Sequence, residues 1–171
     1  LPEYDKTDDK VYLATHSLKQ LNILSQYKKS RLSSLEKFLN RCQTNMGQRL
    51  FHHNILHPTF NEDYLIKEYD IIEYILNNYE NLENIRTKLN TIKDIEKLER
   101  KMILNKINPN EIVEIYSNTN TLIDIMDFIQ SHETLHSYMV ENISNDFKKT
   151  SKDFINFLKK YIIFPIAIKI T

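Results

Sequence analysis

A single glycine, Gly47, and four prolines serve a chain of 171 residues. A β-sandwich or barrel needs a turn about every 8–12 residues, and glycine supplies many of the positive-φ positions those turns demand. The shortage excludes an all-β fold and points to an all-α chain. Hydrophobic residues at 41% and charged residues at 27% are otherwise ordinary for a globular protein. The abundance of Ile, Asn and Lys is what an AT-rich genome produces, so it carries no functional weight. The length fits one helical domain over 1–171, or one compact piece of a larger protein. The chain starts at Leu1 and ends just after a β-branched run, IAIKI, so it is expected to be a fragment of a longer polypeptide.

The one cysteine, Cys42, rules out an internal disulfide framework and suits an intracellular, reducing compartment. The first residues, LPEYDKTDDK, are acidic and polar where a signal peptide needs a basic and then an apolar run. The longest apolar run, Tyr161 to Ile168, contains Pro165 and falls far short of the roughly 20 residues a bilayer span requires. No membrane partner is expected. The net charge is zero but unevenly spread. Residues 1–57 hold nine Lys/Arg against five Asp/Glu, residues 58–130 eight against fourteen, and residues 131–171 six against four. A domain that grips a nucleic-acid backbone unaided is usually strongly basic, and the central part of this one would repel phosphate.

Helical signals follow one another along the chain. A short helix is predicted around Thr15–Leu21, running into an extended Leu21–Leu24. Ser33 or Ser34 can cap Leu35–Arg41, whose Leu35, Phe38 and Leu39 follow i, i+3, i+4. Thr44 can cap the next helix, with Met46, Leu50, Phe51 and Leu56 as its apolar contacts and Pro58 at its end. Gly47 lies inside that helix, where glycine costs about 1 kcal/mol relative to alanine. The expected compensation is the close approach of another helix or backbone. Asn61 can cap a helix over Glu62 to about Asn77, with Leu65, Tyr69, Ile72 and Leu76 on one face. Leu82 to Leu104 carries a further periodic run, broken at Asn90–Thr91. Asn108-Pro109-Asn110-Glu111 is the clearest helix start, with Asn as N-cap, Pro at the first helical position and Glu placed for a capping box. Ser131 or Ser137 can open the next helix, and Phe147, Phe154, Phe157, Leu158 and Ile162 mark the last.

Candidate chemistry is sparse. His132-Glu133-Thr134-Leu135-His136 is a literal H-E-x-x-H, which on a helix would place two imidazoles on one face for zinc beside a general-base Glu. The only later Glu, Glu141, is too close to wrap back as third ligand, and the glycine turn of one zincin class is missing, so a solvated helix face is the preferred reading. His52, His53 and His57 have no Cys or carboxylate at ligand spacing. Cys42 has no base partner nearby in sequence and is read as a packing or helix-end thiol. With one glycine, no glycine-rich phosphate loop is possible. Lys28, Lys29 and Arg31, followed by Lys37, Arg41 and Arg49, are the residues that could touch a phosphate backbone, although a solvated connector is the commoner explanation. No catalytic, cofactor-binding or metal residue is assigned to this stretch.

Leu39, Asn40, Cys42, Thr44, Met46, Gly47, Arg49 and Leu50, with Pro58, Ile66 and Asp70 following, resemble the start of the core (lever) domain of the MutS family of DNA mismatch-repair proteins. Upstream, Leu13 to Ile23 looks like that domain's first element. Downstream, Asp94-Ile95-Glu96-Lys97-Leu98 looks like its D-L-E-R-[IL] step and Asn108-Pro109 its Pro-capped helix. The resemblance covers residues 11–126 and leaves 127–171 unmatched. Glu68 stands where the family usually has Arg, Lys97 replaces Arg, and Phe51 and Asn54 replace a Leu and a bulky aromatic.

The resemblance implies the first half of an irregular multi-helix bundle with long lever-type helices. Its role would be mechanical: coupling an ATPase to a DNA clamp, with Thr44, Met46, Gly47, Arg49, Leu50 and Pro58 as structural motif. It implies ATP and Mg in the parent protein, a DNA-dependent ATPase, none in this stretch, and as partners mismatched double-stranded DNA and a MutS-like dimer mate. The alternative is a helical protein-interaction module unrelated to repair. A Walker A element downstream and a Phe-x-Glu element upstream in the parent would favour repair.

Overall fold

The computed structural model describes residues 9–24, 33–144 and 146–163. Its elements are α-helical, apart from one isolated antiparallel bridge between Lys10 and Thr59. The chain divides into two compact units, Leu1–Asp70 and Ile71–Thr171.

In the first unit α1 (Thr15–Gln20) buries Leu18, and the chain then turns instead of extending. Asn22 takes a left-handed φ of 53°, a conformation that asparagine tolerates better than most residues. The N–H groups of Ile23 and Leu24 return to the Leu18 carbonyl at 2.9 and 3.2 Å, so Leu21–Leu24 wraps the end of α1. The carbonyls of Asn22 and Ile23 then accept from Leu35 and Glu36, at the start of α2 (Leu35–Leu39). Ser34 is the N-cap there, its hydroxyl accepting from Lys37 N at 3.2 Å. The helix stops at Leu39, short of Arg41, because Asn40 turns extended. Next come α3 (Asn45–Leu56) and the first turns of α4 (Glu62–Asn77), which Asn61 caps by accepting from Tyr64 N at 3.0 Å.

The second unit is built on α7 (Pro109–Gln130), which packs against α5 (Tyr79–Thr91), α6 (Ile95–Ile103), α8 (Glu133–Asn142) and α9 (Phe147–Tyr161). Ile123, Ile125 and Ile129 of α7 are buried, as are Leu98 of α6, Leu135 of α8, and Ile155 and Leu158 of α9. The start of α7 is the capping box its sequence predicts, with Glu111 accepting from Asn108 N at 3.1 Å and pairing with Lys101. Helix α5 ends at Thr91, and α6 begins after Asp94, which caps it through Lys97 N. Neither Ser131 nor Ser137 opens α8. Ser131 closes α7 instead, its hydroxyl bonding the Phe128 carbonyl at 2.6 Å, and His132 holds the N-cap position.

The apolar face predicted for α4 is largely uncovered: Tyr69 is 64% exposed, Ile72 49% and Leu76 68%, and no residue of the helix is buried. Among the described residues no helix is long and apolar enough to cross a membrane.

Candidate functional site

The segment around Gly47 is a short antiparallel pair of helices with a hydrogen-bonded turn. Glu36 of α2 meets the His52 ring of α3 at 2.8 Å, and the Asn40 amide reaches the Gln48 carbonyl at 3.5 Å. The two pairings share one antiparallel register, which sets Phe38 and Leu39 level with Leu50 and Arg49. Within the turn, the Asn40 side chain accepts from Cys42 N at 3.3 Å, and the Gln48 amide donates to the Cys42 carbonyl at 3.3 Å. Thr44 caps α3, its Oγ1 accepting from Gly47 N at 3.0 Å.

That cap explains the glycine. A Cβ at Gly47 would lie 3.0 Å from Thr44 Oγ1 and 3.4 Å from Cys42 Cβ. The close neighbours are therefore the helix's own cap and turn, and the expected crossing by another helix is not what confines it. Cys42 is a half-buried, free thiol beside that cap. Met46 is half-buried, whereas Arg49 and Leu50 are exposed, Leu50 at 61%. Arg41 lies over the Phe38 ring at 5.8 Å. The motif is thus a rigid corner that presents an arginine and a leucine outward.

Pro58 serves through its backbone: its carbonyl accepts from Val11 N at 2.8 Å, next to the Lys10–Thr59 bridge. Beside it the first unit opens a cavity of about 690 Å³, lined among others by Lys10, His57, Asn61, Tyr64 and Glu68. The His57 ring lies 5.2 Å from Tyr12 and 4.9 Å from His53, and its Nδ1 is buried without a hydrogen-bond partner among the described residues. Burial raises the Tyr64 pKa above its ordinary value, with smaller contributions from the charge of Glu68 and its hydrogen bond. These groups do not form a nucleophile–base pair at bonding distance, and the cavity has no assigned chemistry.

His132 and His136 do not share a helix face as the H-E-x-x-H pattern requires. His132 is extended at the N-cap, its ring 4.7 Å from Phe128 and its Nδ1 3.1 Å from the Phe128 carbonyl. Glu133 and His136 follow inside α8. Among the described residues no group of three His, Cys, Asp or Glu side chains is arranged to hold a metal ion. Lys28, Lys29 and Arg31 lie outside the described residues. The Glu36–His52 pair escaped the sequence reading because it joins residues of two helices; the shortness of the connecting turn was the available signal.

The MutS domain III family model matches residues 16–164, past Met126, where the motif resemblance ends. A mutS homologue of Acanthamoeba polyphaga mimivirus, named as a DNA mismatch repair protein, is 29% identical over 155 residues, 85% of this chain and 13% of that protein. MutS of Carboxydothermus hydrogenoformans is 31% identical over 114 residues, 67% of this chain and 13% of the relative. Msh2 of Dictyostelium discoideum is 26% identical over 125 residues, 68% and 13% respectively. No solved structure matches. The chain thus aligns with about an eighth of the length of these relatives.

Proposed function

The chain belongs to the MutS family of DNA mismatch-repair proteins, whose domain III it carries over residues 16–164, and from that premise we propose that it is a mechanical relay within a mismatch-repair ATPase. The observation behind the reading is that the family match takes in all nine helices from α1 to α9. In this reading ATP and Mg act elsewhere in the parent protein, which works on mismatched double-stranded DNA together with a MutS-like dimer mate, in a reducing intracellular compartment. The domain passes the nucleotide state on to the grip on DNA by moving packed helices as bodies, which suits a unit whose central helix touches four others. The corner at Thr44–Leu50 is a natural input, since it is stiffened by its cap and directs Arg49 and Leu50 outward.

The test uses the whole gene product. Leu50→Glu should leave ATP hydrolysis without DNA unchanged and reduce its response to mismatched duplex several-fold. An equal fall in both rates would overturn the relay reading, as would vigorous ATP hydrolysis by the 171-residue chain alone.

A further inference from the structure

Helix α4 shows its apolar side to solvent. Leu65, Tyr69, Ile72 and Leu76 recur at spacings of four, three and four, the a/d pattern of a coiled-coil seam. Leu65 is half-buried, but Tyr69, Ile72 and Leu76 are 64%, 49% and 68% exposed, and Ile75 widens the strip along one border. At about 100° per residue, Glu62 and Glu73 fall on the other border, with Asp63 and Asp70 one row further out. Among the described residues none of these four acids has an ion-pair partner. Contiguous exposed apolar strips with a charged rim are characteristic of interaction surfaces.

We propose that this strip seats a basic amphipathic helix supplied by the same polypeptide outside these 171 residues. The sign of the partner follows from the helix itself, which carries five acids (Glu62, Asp63, Glu68, Asp70, Glu73) against one cation, Lys67. Two copies packed strip to strip would set like charges together. In a parallel pair Glu68 at one flanking position would face Glu73 of the other copy, and such pairs are repulsive. A second copy is therefore the wrong occupant, and lysine or arginine at the flanking positions is the complementary choice. The same-chain source follows from length, since the segments aligned with the named relatives make up only 13% of each of them. The inference concerns packing and does not depend on the relay reading.

The probe is a synthetic helix of about three heptads, with Leu or Ile at a and d and Lys at the flanking positions. Its companion carries Glu in place of Lys. Fluorescence anisotropy should show the Lys peptide binding the 171-residue chain and the Glu peptide binding at least tenfold more weakly. Leu76→Lys and Ile72→Lys should each weaken the Lys peptide tenfold or more with an unchanged circular dichroism spectrum, because both side chains are exposed. No binding, equal binding of the two peptides, or indifference to both substitutions would overturn the proposal. In the whole gene product the strip is already filled, so the affinity for the Lys peptide should fall at least tenfold; undiminished affinity there would overturn the same-chain assignment. A dimer of the 171-residue chain that Leu76→Lys dissolves in sedimentation would place a second copy on the strip and refute the proposal.

Discussion

The two compact units hold themselves together by different means. In Ile71–Thr171 the side chains of α6, α8 and α9 close over the isoleucines of α7, and nine of the ten buried apolar residues lie there. In Leu1–Asp70 Leu18 is the one buried apolar residue among those described, and the order comes instead from caps and turns: Ser34, Thr44, Asn61, and Asn22 with its left-handed backbone. Each cap contributes about 1 kcal/mol, whereas a well-buried leucine contributes several times that. The first unit therefore has many small supports, and the second a few large ones.

The sharpest way to break that contrast is Leu98→Ala. Leu98 is 4% exposed, and the truncation should cost about 2–5 kcal/mol in urea unfolding, from lost transfer energy plus the cavity left behind. A loss under about 1 kcal/mol would mean that the second unit is not held by its core. Asn118→Ala comes next. Asn118 is 3% exposed on α7, and its amide clasps both backbone groups of Lys93, accepting from N at 3.0 Å and donating to O at 3.3 Å. Removing it strands two backbone groups of the α5–α6 link, at a cost of about 1–3 kcal/mol.

These two residues also show where sequence reading succeeds and where it stops. Leu98 was legible because the run from Leu82 to Leu104 is periodic, and the Asn108–Glu111 start of α7 was legible because a capping box is local chemistry. Asn118 was not: an asparagine within an apolar helix looks the same whether it faces water or grips a loop 25 residues away. Ile72 and Leu76 mislead in the opposite way, since periodicity identifies an apolar face without saying what covers it. Leu21–Leu24 turned where extension was predicted, because the left-handed Asn22 leaves no pattern in its apolar neighbours. The Gly47 corner was half legible. Its Thr44 cap could be read, but the crowding of Gly47 by that same cap needed the geometry.

In the first unit Thr44→Ala should cost about 1 kcal/mol, the ordinary value of a lost N-cap. If it cost as much as Leu98→Ala, the contrast between the units would fail. Gly47→Ala refines the point through a double-mutant cycle. Alanine gains up to about 1 kcal/mol in helix propensity, but its Cβ would meet Thr44 Oγ1 at 3.0 Å, so with the cap in place the net change should stay within about 0.5 kcal/mol. In the Thr44→Ala background the oxygen is gone and Gly47→Ala should stabilise. Equal effects in both backgrounds would show that the cap is not what excludes a side chain.

The smallest effect tests whether capping matters in the second unit as well. The hydrogen bond from Lys101 holds the Glu111 carboxylate below its ordinary pKa of 4.5, and the bond from the Asn108 backbone adds to it. Because the folded state favours the ionised form, this contribution is fully present above 4.5 and is lost as the pH falls through the lowered folded value. The urea midpoint should therefore drop between pH 5 and pH 3, and Lys101→Met should make that drop shallower without abolishing it, since the Asn108 bond remains. An acid limb of unchanged slope in Lys101→Met would show that the pair at the start of α7 adds nothing to folding. The core around Leu98 and Ile123 would then be left as the second unit's main support, and the difference between the units would be wider still.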